Sequence, residues 1–477
     1  MRTLAMRRLL WFKQDLRLDD HPAVQAALGA ERVLPLYVFD PTLLRPGPLG
    51  TRPMGVHRMR FLLESLAALD GELRHRGSRL LVVQGVASQV IPALVDHLQL
   101  DEVLTLDEVA PAARTLIEET RQALAGVPLT TFAGDTLLRR EELPAPVEAL
   151  PAVFSQFRDQ VQQRLSVFQP RSAPAALPPT PEPADRLFEP LPSLSRLGLG
   201  EPLAHVNSTF PFAGGEPAAL ARVRDYLWEG RGVRDYETTR YGLTGTEYSS
   251  KFSPWLANGC LSARRVVAEL RRHEAQYGAN ASTRLLWEQV LWRDFFRWTL
   301  LRHGEALFQP GGVRATARAP QNLDARFEAW CHGRTGLPLV DAAMRELATT
   351  GFLAHRLRQV VASYLVSDLQ QDWRHGAAWF EEHLLDHDPA SNWGNWAYLA
   401  GVASDPQRSQ AFNALRQARH LDPEAEYVSL WLPELRAVPR NLRHTPFVLS
   451  RLQLDALDYP RLEQVPEAWK PYLTSAA

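Results

Sequence analysis

The chain has little cysteine. Cys260 and Cys331 are the two among 477 residues. That excludes a disulfide framework and a cysteine-based zinc site. It also lacks a charge excess: Lys and Arg total 53 against 54 Asp and Glu, a formal net charge of −1. Bulk attraction to a polyanion is excluded, so any nucleic-acid site is a local patch. No run approaches the roughly 20 apolar residues of a membrane span. The apolar stretch Leu9-Leu10-Trp11-Phe12 ends at Lys13, too short for a signal-peptide core. A cytoplasmic protein with no membrane partner is expected. Neither GxGxxG nor GxxxxGK[ST] follows any strand-like run, which excludes a standard dinucleotide fingerprint and a P-loop.

What is present is an ordinary globular composition, 45% hydrophobic and 22% charged, incompatible with wholesale disorder. The length predicts two or three domains. The aromatics are segregated. Of 13 Trp only Trp11 precedes Trp228, and of 11 Tyr only Tyr37 precedes Tyr226. The second half is the one built to stack on rings.

In the first half, Leu9–Phe12, Val33–Phe39, Leu80–Val83 and Val103–Leu106 have strand length. The helix-like segments His57–Gly71 and Ala112–Ala125 lie between and after them. Strands alternating with helices predict a doubly wound parallel sheet, an α/β domain over residues 1–140. Pro170 to Pro192 holds eight prolines, which forbid helix or central strand. An extended linker over 141–215 is expected. From 216 to 477 the pattern is helical, with Ser262 capping a helix over Ala263–Gln276 and further helices at Thr283–His303, Leu337–Thr349, Ala354–Leu369 and Ala377–Leu385.

Four segments could carry chemistry. Tyr236 and the run Ser249, Ser250, Lys251, Phe252, Ser253 offer hydroxyls and backbone N–H groups to phosphate oxygens, or are simply a capping cluster. Gln289, Trp292, Arg293 and Phe296 share one helix face, which reads as core or as a half-polar cavity. His355, Arg356, Arg358 and Gln359 follow on another helix, where a lone histidine is more often structural. Asp386 to Tyr398 packs two carboxylates, two amides and three large aromatics into thirteen residues, read as a loop. Its carboxylates suit a ring with an imide N–H better than a magnesium ion.

WFKQDLRLDDHP, TGTEYSSKFSPWLANGCLS, VLWRDFFRW, WCHGRTGLPLVDAAMRELATTGF, DWRHGAAWFEEHLLDHDPASNWGNWAYLAG and WLPELRAVP together resemble the photolyase/cryptochrome family. The YSSKFSPWLANGCLS block, VFSQFRDQV (Val153–Val161), Gln359 and Tyr398 resemble its DASH-type cryptochromes. The resemblance implies an all-α C-terminal domain that holds FAD. Tyr236, Ser249, Ser250, Lys251, Phe252 and Ser253 would wrap its phosphates and ribityl chain, and Arg293 would contact a phosphate. Arg358 and Asp386 would pair beside the isoalloxazine, Asp388 would accept from flavin N3–H, and Asn392 would face N5. His355 stands where Asn is usual. The implied activity is blue-light-driven repair of cyclobutane pyrimidine dimers, preferentially in single-stranded, UV-damaged DNA. The alternative is a blue-light photoreceptor that binds DNA. Gln289, Trp292, Gln359 and Tyr398 would meet the flipped dimer, and Arg356 a phosphate. Trp396 and Trp373 match the family's electron-transfer tryptophans. The outer position falls at about Pro320, which leaves Trp330 and Trp379 as substitutes. A methenyltetrahydrofolate antenna stays open, since the acidic pair of many relatives falls at Ala112-Ala113, with Glu108 nearby. A monomer without a signalling tail after Ala477 is expected.

Overall fold

The computed structural model describes residues 6–163, 169–316, 323–405, 412–462, 465–467 and 469. Short apolar runs form five parallel strands: β1 (Arg7–Phe12), β2 (Arg32–Phe39), β3 (Leu81–Gln84), β4 (Glu102–Leu106) and β5 (Leu129–Phe132). They make one sheet of order β3-β2-β1-β4-β5. The first four match the expected strands to within a residue or two. β5 is an addition, because Leu-Thr-Thr-Phe carries too weak an apolar pattern to stand out.

Side chains alternate across the pleat, and here both faces are buried. On β1, Leu9 and Trp11 join a core with Ile91 and Val95 of helix Ala87–Leu98 and Ile117 of helix Pro111–Ala123. Leu10 and Phe12 face the opposite way, towards Met59, Leu62 and Leu66 of helix Val56–His75. This second core does not end with the α/β half. It continues to Trp255, Val266, Leu270 and Trp287 of the helical half.

Polar staples line the same seam. The Asp294 carboxylate accepts the backbone N–H groups of Leu137 and Leu138, both at 2.8 Å. Glu216 accepts those of Leu18 and Asp19 at 2.9 and 2.7 Å. Burial pushes the Glu216 carboxyl up to about 7 and that of Asp294 to about 6. Gly259 has φ +68°, and a Cβ there would come within 2.0 Å of the Gln14 carbonyl oxygen. Only glycine fits so close to the end of β1.

The proline-rich stretch is strapped to the α/β half rather than free. Its carbonyls at Arg171 and Pro179 accept from Asp20 and Val33 (2.6 and 3.1 Å), and Leu177 N–H donates to Arg76 (2.8 Å). Residues 141–215 also hold a helix, Phe154–Gln162, whose Phe154, Phe157 and Val161 are buried. An i, i+3, i+7 stripe is enough to seat one short helix.

In the helical half the Ser262 cap is realised: its hydroxyl accepts from Arg264 and Arg265 N–H at 3.1 and 3.3 Å and starts helix Ala263–Tyr277. The long helix Ala281–His303 begins two residues earlier than expected, because Asn280 and Thr283 form a reciprocal cap (2.8 and 3.0 Å). Helix Pro338–Thr350 matches its expectation. Helix His355–Ser363 runs into a wider turn at Tyr364–Asp368. Helix Trp373–His383 starts four residues before the expected one, capped by Asp372. Among the described residues no helix is long and apolar enough to cross a membrane.

Candidate functional site

The segment read as a loop is largely helix. Asp388 Oδ1 accepts from Ser391 N–H at 2.7 Å and, with Pro389 behind it, starts helix Pro389–Leu399. The helix lies close against the long helix Ala281–His303. A Cβ on Gly394 would come within 2.4 Å of the Phe296 ring. These two helices, with His355–Ser363, position most of the expected site.

Arg358 and Asp386 pair as the resemblance implies, Nη2 to Oδ2 at 2.8 Å. Arg358 Nε donates to Leu353 O at 2.8 Å, so the guanidinium is aimed. Asp386 is buried and its Oδ1 has no donor among the described residues. Asp388 is also buried, and its Oδ2 meets Arg297. Burial alone would raise the Asp388 carboxyl. Arg297, Arg293 and the Ser391 donor outweigh it and hold the carboxyl below its ordinary value. Asn392 donates its amide to Ala377 O at 2.9 Å, leaving its carbonyl oxygen for a donor outside the protein.

His355 is exposed at the start of helix His355–Ser363. Desolvation, with Arg358, Arg240 and Arg356 nearby, pulls its pKa down to about 4. The ring is neutral at pH 7, so exchanging Asn for His here adds no charge.

The serine segment is held from behind. Arg222, 3% exposed, donates to the carbonyls of Thr246, Ser249 and Ser250 at 3.1 to 3.3 Å. The hydroxyls of Ser249, Ser250 and Ser253 have no partner among the described residues. Ser253 opens a helix of only five residues, Ser253–Ala257. Phe252 is core, edge-on to Tyr226 at 5.9 Å. Lys251 has φ +60° and a buried amine 3.2 Å from the Tyr248 ring centre, with no hydrogen-bond acceptor. Burial drives that amine well below its usual pKa. Tyr236 is buried beneath the Arg240 guanidinium, 5.6 Å from its ring centre. Arg293 turns to the α/β half, donating to the Asp135 carbonyl and carboxylate at 2.7 and 2.9 Å.

The atoms left over fit FAD. Free hydroxyls suit its phosphates and ribityl chain. The acceptors Asp386 Oδ1 and Asn392 Oδ1 suit its ring N–H and hydroxyl donors.

Of the expected substrate residues, Trp292 and Tyr398 line one narrow cleft with Phe154, Phe296 and Gly394. Gln289 lies one turn before Trp292 on the same face. Arg356 stacks over Tyr241 and Phe412 at 5.4 and 5.7 Å. Gln359 is half-buried one turn beyond His355. Among the described residues no hydrogen bond, ion pair or ring contact ties Gln289, Arg356 or Gln359 to the Trp292–Tyr398 pair.

Trp396 and Trp373 are buried at 2% and 0% exposure. Trp396 packs edge-on to Trp330 at 6.2 Å, and Trp373 packs on Trp393 at 5.8 Å. Of the two expected substitutes, Trp330 therefore touches Trp396, while Trp379 stacks on His383 instead (4.1 Å). Pro320 lies outside the described residues. Ala112 and Ala113 open helix Pro111–Ala123, while Glu108 turns inward to Lys13 at 3.8 Å.

Sequence reading missed Arg222, Phe154, Asp135 and Arg297. Arg297 had a local signal, being one turn from Arg293 on an apolar helix, and Phe154 had one in its short apolar stripe.

Comparison with known proteins agrees. Residues 8–184 match the family model of DNA photolyase, and residues 285–465 match the FAD binding domain of DNA photolyase. A Cryptochrome DASH of Gloeobacter violaceus is 42% identical over 95% of this chain and 92% of its own. A Synechocystis cryptochrome structure superposes with TM-score 0.90 at 38% identity, covering 97% of each chain. A class III photolyase from Agrobacterium tumefaciens superposes with TM-score 0.83 at 26% identity, over 100% of this chain and 98% of that one. The chain, with FAD as its cofactor, belongs to the photolyase/cryptochrome family, among the DASH-type cryptochromes.

Proposed function

We propose that the protein is a light-driven enzyme that repairs cyclobutane pyrimidine dimers, preferentially in single-stranded DNA. The observation that carries this reading is the aromatic cleft where Trp292 and Tyr398 meet, beside the helix that presents Asp388 and Asn392. Two flat rings flanking a cleft suit an extruded pyrimidine dimer, and extrusion is cheapest from single strands.

FAD, when bound, supplies the excited electron that opens the cyclobutane ring and takes it back. The chain supplies position and field. Asp388 and Asp386 accept from the flavin, Arg358 neutralises Asp386, and Ser249, Ser250, Ser253 and Tyr236 hold the phosphates and ribityl chain. Trp396 and Trp373 serve as electron carriers. Gln289 and Gln359 offer hydrogen bonds to the dimer, and Arg356 takes a DNA phosphate. The α/β half (1–140) and the helical half (216–477), joined by the 141–215 segment and sharing one core, act together in a cytoplasmic monomer.

The test is blue-light illumination of purified protein with dimer-containing single-stranded and duplex oligonucleotides. Loss of dimer, faster in the single strand, is expected. Unchanged dimer in both would favour the photoreceptor reading, which draws on one observation: Gln289 brings no charge to the cleft.

A further inference from the structure

Arg297 lies one turn beyond Arg293 on the long helix and is 4% exposed. Its guanidinium serves both halves of the molecule. Nη1 donates to Asp388 Oδ2. Nη2 pairs with the Asp135 carboxylate and lies 4.0 Å from Glu108 Oε2. Glu108 in turn lies 3.8 Å from Lys13 Nζ. Lys13 follows β1, Glu108 follows β4 and Asp135 follows β5. All three therefore stand at the carboxyl edge of the sheet, where the strand order turns.

The result is a buried chain of alternating charge from Lys13 to Asp388. Among the described residues the direct partners of the Asp388 carboxylate are the neutral donors of Ser391 and the Arg297 cation. A buried carboxylate keeps its charge only while such a partner remains. Arg297 is itself divided between Asp388 and Asp135, so each carboxylate dilutes its effect on the other. Arg293 adds a second cation at Asp135 but makes no hydrogen bond to Asp388.

We propose that Arg297 is a positioning residue of the FAD site, bridging Asp388 to Asp135 so that docking of the α/β half sets the charge the flavin meets. This rests on Asp388 being the flavin's acceptor, as proposed above. A change of charge at the carboxyl edge of the sheet then reaches the flavin without any movement of the backbone.

The test uses the full chain as wild type, Arg297→Gln, Arg297→Lys and Asp135→Asn. Three quantities are read: FAD affinity of the apoprotein by fluorescence titration, the midpoint potential of the bound flavin, and the melting temperature. Arg297→Gln should weaken FAD binding roughly ten- to a hundredfold, the worth of one charge-assisted hydrogen bond, with partial rescue in Arg297→Lys. Asp135→Asn, in the other half, should release Arg297 towards Asp388 and raise the flavin potential. Arg297→Gln should lower it. Should Arg297→Gln fail to fold, Arg297→Lys and Asp135→Asn still decide. Variants that lower only the melting temperature, with FAD affinity and potential as in wild type, would overturn the proposal. A wild type that takes up no FAD would overturn the flavin reading as well, which separates the two failures.

Discussion

Phe154 lies flat on Trp292, with ring centroids 3.7 Å apart and planes 12° from parallel. The first ring comes from the short helix that follows the α/β half, and the second from the middle of the long helix. Phe295 meets Trp292 edge-on at 5.6 Å and Phe296 is tilted against it at 5.4 Å. The indole is clamped before any DNA arrives. Replacing Trp292 by Ala should weaken binding of dimer-containing single strands by about 1–3 kcal/mol, the worth of one base–aromatic stack. Phe154→Leu should cost about 0.5–1.5 kcal/mol in the same fluorescence-anisotropy titration, through a looser indole. Wild-type affinity in Trp292→Ala would remove that ring from the site.

DNA binding should weaken as salt rises, despite the net charge of −1. Cations around His355, Arg356 and Arg240 among them, would release counterions from the phosphates. Titrations at 50 and 200 mM salt measure this. Equal affinities at both would rule out a phosphate-contacting patch.

Acid should destabilise the fold through His387. Its ring is 4% exposed, with Nε2 3.7 Å from Glu381 and Nδ1 unpartnered. Desolvation, reinforced by Arg58 and opposed by Glu381, pulls its pKa down to about 4. The unfolded chain binds this proton from about pH 6.5 and the folded chain only near pH 4. The stability is thus fully present above pH 6.5 and declines as pH falls towards 4, by at most about 3 kcal/mol. His387→Gln should flatten that part of a urea-melt pH series. An unchanged slope would show that other groups carry it.

Asp294→Ala should cost about 2–4 kcal/mol, because it strips two buried backbone donors, Leu137 and Leu138, of their acceptor. Chemical denaturation reads the loss directly. A loss below about 1 kcal/mol would mean that water replaces the carboxylate.

Gly259→Ala should be worse tolerated than any surface change. The residue sits at φ +68° and its new methyl would collide with the backbone of Gln14 and Asp15. Faster proteolysis between the halves is the expected readout. Wild-type resistance would show that the seam can open without cost.

The sequence was most legible where a signal is local. β1, β2 and β4 are apolar runs, and the Ser262 cap precedes its helix directly. The helix Pro389–Leu399 was hidden because Ser391, Asn392, Gly394 and Asn395 are weak helix formers, although Asp388 followed by Pro389 was a sound start signal. The Arg358–Asp386 pair came from the family resemblance rather than from any periodicity. Asp135 and Arg297 are more than 150 residues apart, as are Asp294 and Leu137 almost to the same degree. Nothing in either neighbourhood announces the partner, because such pairs are chosen by packing at the seam. Phe154 lay in a stretch whose prolines further on suggested a plain linker, yet its own stripe was short and apolar.

The core behind Leu10 and Phe12 has a consequence for synthesis. Its completing residues, Trp255 to Trp287, follow the end of β5 by more than 120 positions. At roughly 5–20 residues per second, a ribosome needs about 8–30 seconds to deliver them all. Through that interval the nascent sheet shows an uncovered greasy patch, which makes the newborn amino-terminal portion a natural client for chaperones.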